Sequence, residues 1–259
     1  MKLFKKTLSV LLTALLLAAC AVPAFAEGTV AVSLRVEGLT ECLYYDNVTV
    51  AENATVYDVL LAADEASDKL TFVFSDSDYG AYLTTVNGLE AGTKTELHYD
   101  GWQYHVNDAD PGVGITACTV SADDRIVLFY GDEWGETGML YPTVDMSKIK
   151  EGKIFFTAES TTYDENWTPT VTTVNVTGYT LIWDGKRITP DKDGVATVPV
   201  TKLGKGAHSV QIERIEKNGM PSVLRFAPDF TVETDLNLFA RIQLLFTRLF
   251  ASVKALFTR

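Results

Sequence analysis

Histidine and cysteine are scarce in this chain and basic residues are outnumbered: 259 residues include three of each of the first two, and 22 Lys plus Arg stand against 34 Asp plus Glu. Each shortage removes a class of function. His98, His105 and His208 stand at none of the spacings of a zinc site, and none accompanies a serine in a Gly-x-Ser-x-Gly elbow, so no nucleophile with its base is legible. His98 and His105 flank Asp100-Gly101 and could meet across a hairpin, but two ligands do not complete a metal centre. Phosphate-cradling and dinucleotide motifs are missing, and no carboxylate pair stands out from the many surface ones. The formal charge of −12 disfavours nucleic acid. Acidic pairs at Asp76/Asp78, Asp108/Asp110 and Asp123/Asp124, and the run Asp191-Lys192-Asp193-Gly194, lack the later ligands of a calcium loop and match the preference of Asp for turns. These absences point to a protein that is not an enzyme and needs no cofactor or metal.

The longest uninterrupted apolar run, Leu8 to Ala19, is short for a hydrocarbon core. Preceded by Lys2, Lys5 and Lys6 and followed by Ala24-Phe25-Ala26, it reads as a secretory signal peptide over residues 1–26. Leu17-Ala18-Ala19-Cys20 offers an alternative, since it resembles a bacterial lipobox in which Cys20 is lipidated. Cleavage after Ala26 removes three lysines and no acid, moving the formal charge to −15. The expected location is therefore secreted, or attached to the cell surface or membrane. Two cysteines remain in an oxidising compartment, so a Cys42–Cys118 disulfide is expected, with two buried thiols as the other reading.

From Thr29 the apolar residues Val30, Val32, Leu34 and Val36 alternate with Thr29, Ala31, Ser33 and Arg35, which is a half-buried strand. Gly38 interrupts it, and Cys42 to Val50 supplies a second strand and a hairpin. Thr55 and Asp58 make a capping-box-like start to a helix carrying Val56, Val59, Leu60 and Ala63 at helical spacing. Short strands follow, an α+β pattern in which one helix packs across a small grasp-like sheet.

Aromatic and turn residues are densest between Tyr79 and Tyr130. Tyr79-Gly80-Ala81-Tyr82, Val86-Asn87-Gly88, Gly101-Trp102-Gln103-Tyr104-His105-Val106-Asn107 and the acidic turn before Ile126 to Tyr130 occur in that order. Asn87-Gly88 and Asp100-Gly101 read as tight turns, and Trp102, Tyr104 and Val106 share one face of a strand. This order of motifs resembles the transcobalamin C-terminal-like domain, over roughly residues 28–131 of a first domain at 28–145. The resemblance implies a binding fold without catalytic residues, and a corrinoid as candidate ligand. Animal carriers of that family hold cobalamin between this β-domain and a large helical domain, which has no counterpart here. Independently of family, Tyr79, Tyr82, Trp102, Tyr104 and Trp134 could form a stacking platform for a flat ligand or sugar ring; the other reading makes Trp102 and Tyr104 core residues packed on the helix.

Apolar periodicity lapses between Glu133 and Lys153, placing a boundary near Met146. Strands are then expected at Lys153–Thr157, Thr170–Val176, Tyr179–Trp183, Val195–Val200, His208–Ile215 and Val223–Phe226, with hairpin turns at Asp191–Gly194 and Asn218-Gly219. This makes an antiparallel, immunoglobulin- or prealbumin-like β-sandwich over residues 150–232. Tyr163-Asp164-Glu165-Asn166-Trp167 and Gly206-Ala207-His208-Ser209-Val210 resemble the prealbumin-like, carboxypeptidase-regulatory type of module. Residues 236–259 form a basic amphipathic helix, with Ile242, Leu245, Phe246, Leu249, Phe250, Val253, Leu256 and Phe257 on one face and Arg241, Arg248, Lys254 and Arg259 off it. Such a helix suits a membrane surface, or docks on its own domains. The whole reads as a bacterial, secreted or surface-attached binding protein, with adhesion to protein or glycan as the alternative.

Overall fold

The computed structural model describes residues 28–232 apart from 79, 133, 134, 136, 167, 200–202 and 226–229. The expected signal peptide and the C-terminal amphipathic helix lie outside the described residues.

Strand β1 (Thr29–Glu37) pairs antiparallel with β2 (Cys42–Ala51), the register slipping between Val36 and Glu37. Helix α1 (Val56–Ala66) starts where the sequence places it. The Thr55 hydroxyl accepts from Asp58 N at 3.3 Å, and the Asp58 carboxylate accepts from Thr55 N at 2.7 Å. Both donors would otherwise be orphans of the first turn. The buried stripe Val56, Val59, Leu60 and Ala63 faces the sheet.

Next come β3 (Phe72–Ser77), β4 (Gly80–Val86) and β5 (Leu89–Glu90), a small antiparallel sheet. Asn87 (φ 50°) and Gly88 (φ 81°) make the two-residue turn between β4 and β5, where two successive positive φ values favour Asn-Gly. Strands β6 (Gly101–Val106) and β7 (Arg125–Gly131) return to the main sheet, whose order is β2-β1-β7-β6. Its central neighbours β1 and β7 run parallel, from Ser33↔Arg125 to Glu37↔Phe129. One face of this sheet, with Leu34, Val36, Ile126, Leu128, Tyr130 and Trp102, packs on α1 and the small sheet.

The second half begins with β8 (Thr143–Asp145) and a 3-10 turn at Ile149–Glu151. Its hub is β9 (Lys153–Tyr163), which pairs with β8, with β10 (Pro169–Asn175) and with β13 (Ala196–Thr197). A second sheet joins β11 (Thr180–Trp183) to β12 (Lys186–Ile188) and β15 (Val210–Glu213). Ile154, Phe156 and Ala158 from the first of these sheets share one core with Leu181, Trp183, Val210 and Ile212 from the second. The remaining strands, β14 (Gly206–His208) and β16 (Phe230–Val232), pair with each other. The chain is thus a β-rich α+β protein with a single α-helix among the described residues.

Several strands are shorter than their sequence pattern. His208–Ile215 is broken into β14 and β15 because Ser209 N donates to Asp184 Oδ1 at 3.0 Å instead of joining the ladder. Val223 makes a bridge with Leu140, and the described part of Val195–Val200 contributes β13. The turn at Asp191–Gly194 forms as its residues suggest: Asp191 Oδ1 accepts from Asp193 N and Val195 N. Gly194 is required there, since its φ is +81° and a Cβ would stand 2.2 Å from Val176 O.

Residues 220–225 reach back to the first half. Met220 joins its core, and Leu224 packs on Val127 and Phe129, on the sheet face opposite α1. Arg225 Nη1 lies 3.7 Å from Glu37 Oε2.

The expected Cys42–Cys118 disulfide does not form; both thiols are free. Cys42 opposes Glu37 at the start of β2, nine residues from Ala51, which is about 30 Å of extended chain. Cys118 sits near the far end, its carbonyl accepting from Val56 N while Val120 N reaches Ala54 O. A bridge needs Cα atoms within about 7 Å. Cys42 Sγ instead donates to Tyr44 O at 3.3 Å. Mass spectrometry of the native protein alkylated without reductant should therefore show both cysteines modified; modification only after reduction would contradict this arrangement.

Candidate functional site

The loop between β5 and β6 is shaped by one carboxylate. Ala91-Gly92-Thr93-Lys94-Thr95 has no apolar periodicity to fix it, and its backbone amides need partners. Buried Asp100 supplies them. Its Oδ2 accepts from Thr93 N (3.1 Å), Lys94 N (2.9 Å) and the Tyr130 hydroxyl (2.5 Å), and its Oδ1 from Thr95 N (3.0 Å) and Thr95 Oγ1 (2.7 Å). Burial alone would raise this carboxyl, but the hydrogen bonds from Thr95, Tyr130 and Lys94 override it and lower the pKa to about 2. The Tyr130 phenol moves up, through burial first and then the neighbouring carboxylate. Gly92 N donates to Asp100 O at 2.7 Å, and His98, at φ 57°, places Nδ1 2.6 Å from Gly92 O. Asp100-Gly101 is therefore not the positive-φ hairpin turn its residue types suggest. Asp100 anchors a loop that folds back over it, and Gly101 begins β6.

The folded loop stands beside β4 and leaves an open groove of about 530 Å³. Tyr82 and Tyr99 line it with 51% and 61% of their surface exposed, alongside Thr84, Glu90, His98 and Gln103. No Lys or Arg lines it among the described residues, so the groove suits a neutral or cationic ligand better than an anion. Trp102 touches the groove from below but is only 7% exposed. Its indole N–H donates to Leu89 O at 2.9 Å and its ring meets Tyr130 edge to face at 5.3 Å. Trp102 is a core residue serving as the floor, and its face is not free for stacking.

Tyr104, on the same strand face, donates its hydroxyl to Val113 O at 2.6 Å and packs against the core. It does not line the groove, and burial followed by the nearby Cys118 drives its phenol pKa upward. Tyr79 and Trp134 lie outside the described residues. Of the five expected aromatics, the structure brings Tyr82 and Trp102 to one groove and leaves Tyr104 out of it. Tyr99 was not singled out from sequence; the available signal was an aromatic in the polar run between β5 and β6.

The three histidines do not meet. His98 borders the groove, while His105 is buried on the opposite side of β6. His208 places Nδ1 2.8 Å from Asp184 Oδ2 and Nε2 2.8 Å from Gly204 O, stacked on Trp183 at 4.7 Å. Burial opposes its charged form, yet the Gly204 carbonyl and Asp184 raise its pKa. Among the acidic pairs, Asp108 binds Arg125 at 2.5 Å and Asp124 accepts from Ser121 N and Asn107 Nδ2. Among the described residues, no group of three or more His, Cys, Asp or Glu is placed to hold a metal ion.

Comparison with known proteins gives a family match over part of the chain. A family profile described as a domain of unknown function, DUF4430, matches residues 53–132, from the turn before α1 through the groove to the end of β7. No curated protein matches the chain. Among solved structures, haptocorrin in complex with Cbi is similar at 20% identity and a TM-score of 0.37, over 40% of this chain and 25% of that one. A protein of Ruminococcus gnavus ATCC 29149, for which a metal-binding role has been suggested, is similar at 14% identity and a TM-score of 0.30, over 39% of this chain and 95% of that one. The chain therefore spans about a quarter of haptocorrin's length.

Proposed function

We propose that this is a non-enzymatic binding protein acting outside the cell, secreted or held at its surface, whose first half takes a flat small molecule in the groove beside Tyr82 and Tyr99. The carrying observation is two exposed phenol rings over a pre-shaped groove with a rigid floor. Stacking against such rings, with hydrogen bonds to the free acceptor positions of Thr84 and to the polar ends of His98 and Gln103, is an economical way to hold a planar ligand. The resemblance to the transcobalamin C-terminal-like domain makes a corrinoid the candidate. The groove is small against so large a molecule, and one half-site leaves much of the ligand in water. Affinity should be micromolar or weaker, about −8 kcal/mol at most.

Calorimetric titration of the mature full-length protein with cobalamin and cobinamide tests this. Tyr82→Ala and Tyr99→Ala should each weaken binding several-fold while leaving the melting curve unchanged, because both rings are solvent-exposed. Trp102→Ala is a poor probe because it removes a core side chain. No heat with either corrinoid at millimolar ligand would end the corrinoid proposal, and binding indifferent to both tyrosine variants would end the groove.

The rival is adhesion to protein or glycan, favoured by the β9–β10 ribbon: β10 is an edge strand exposed along nearly its whole length, and its outer backbone groups are available for strand addition. The basic tail at 236–259 fits either reading as a membrane-surface contact.

A further inference from the structure

A cavity of about 140 Å³ lies on the side of β6 away from the groove, between the back of the main sheet and the strand that opens the second half. Its walls include Val127, Tyr141, Val144 and Leu224, with His105 and Asp108 as its principal polar members. His105 is 6% exposed and has no hydrogen-bond partner among the described residues. Its ring is fixed edge-on to Phe129 at 5.4 Å and tilted against Tyr141 at 4.3 Å. The imidazole borders an unfilled space, so a group entering that space can hydrogen-bond to it. Burial lowers the His105 pKa against the pull of Asp110 and Asp108, so the imidazole is neutral and keeps one ring nitrogen as an acceptor.

The space opens to solvent beside Asp108, whose side chain is half exposed, so a ligand can enter and displace the water it holds. An apolar cavity of this size accommodates a single aromatic ring. The two carboxylates near the imidazole exclude an anion.

We infer that this cavity is a second ligand site, for a small uncharged single-ring aromatic that carries one hydrogen-bond donor, of the phenol class, its hydroxyl given to His105. The site is separate from the Tyr82–Tyr99 groove and does not depend on what that groove binds.

The test uses full-length protein with methyl and histidine-ring NMR signals, and three probes: 4-methylphenol, toluene and benzoate. 4-Methylphenol should shift the Val127, Val144 and Leu224 methyls and the His105 ring nitrogens saturably. Toluene should move the same methyls about tenfold more weakly, since one buried hydrogen bond is lost, and benzoate should move none. His105→Phe keeps the aromatic packing and should abolish the preference for 4-methylphenol; Val144→Trp, which fills the cavity from the other wall, should abolish binding of both. The inference is overturned if 4-methylphenol leaves these methyls unmoved at its solubility limit, if it and toluene bind unaltered protein equally, or if its shifts fall at Tyr82 and Tyr99 instead.

Discussion

Glu37→Ala should lower the stability of the protein by about 3–5 kcal/mol. Glu37 is 1% exposed at the end of β1 and forms an ion pair with Arg35 Nε, while Arg225 Nη1 approaches its other oxygen at 3.7 Å. Both arginines are themselves buried. Removing the carboxylate takes the negative charge of Glu37 away from two buried guanidinium groups, and losing one partner of a buried ion pair costs several kcal/mol. Deleting charges together behaves differently. Glu37→Ala combined with Arg225→Met should recover part of the loss, because the second change withdraws one of the stranded cations. Urea unfolding of the two variants decides it: a loss below about 1 kcal/mol for Glu37→Ala would mean that water reaches the cluster.

Asp100→Asn should cost about 2–4 kcal/mol at neutral pH, since five donors face the carboxylate and an amide can accept from only some of them. The loss carries a pH signature. The folded pKa of about 2 lies below the usual 3.8, so the unfolded chain binds the proton more readily in that window. The stability contributed by ionised Asp100 is fully present above about pH 4 and is lost as pH falls through about 2. The shift corresponds to about 2 kcal/mol. The gap between the parent protein and Asp100→Asn should therefore narrow by about that amount between pH 5 and pH 2, measured by urea unfolding at each pH. A gap constant over this range would show that the Asp100 pKa is the same in the folded and unfolded chain. Groove binding should fall with the same substitution, because the 91–100 loop loses its anchor.

Much of the first half was legible because its signals are local. Thr55 and Asp58 act within one helical turn, and Asn87-Gly88 within one hairpin, so both could be read at a distance of a few residues. Alternation in β6 put Trp102, Tyr104 and Val106 on one face, but period two does not say which face is buried; the answer depends on α1 and the small sheet, which are supplied from elsewhere in the chain. Arg35 belongs to the polar half of the β1 pattern and would be expected in water. It is covered because Leu224 and Arg225, some 190 residues later, pack on that side. Asp100 failed for the related reason that its partners, Thr93 to Thr95, lie upstream in a run without pattern. The cysteines satisfied the count for a bridge but not the geometry, which β2 sets by running about 30 Å between Cys42 and Ala51.

The parallel pairing of β1 with β7 also sets an order of events for a growing chain. β1 and β2 can zip together once residue 51 is available, yet the strand completing the centre of the sheet ends at residue 131. Closing a loop of some ninety residues is slow compared with forming a hairpin. Until then the apolar side of the β1–β2 hairpin has only local partners, and the nascent first half stays loosely organised. For the extracellular role proposed above, that delay would matter, since a segment that has not yet locked its central strand can still be threaded through a channel in extended form.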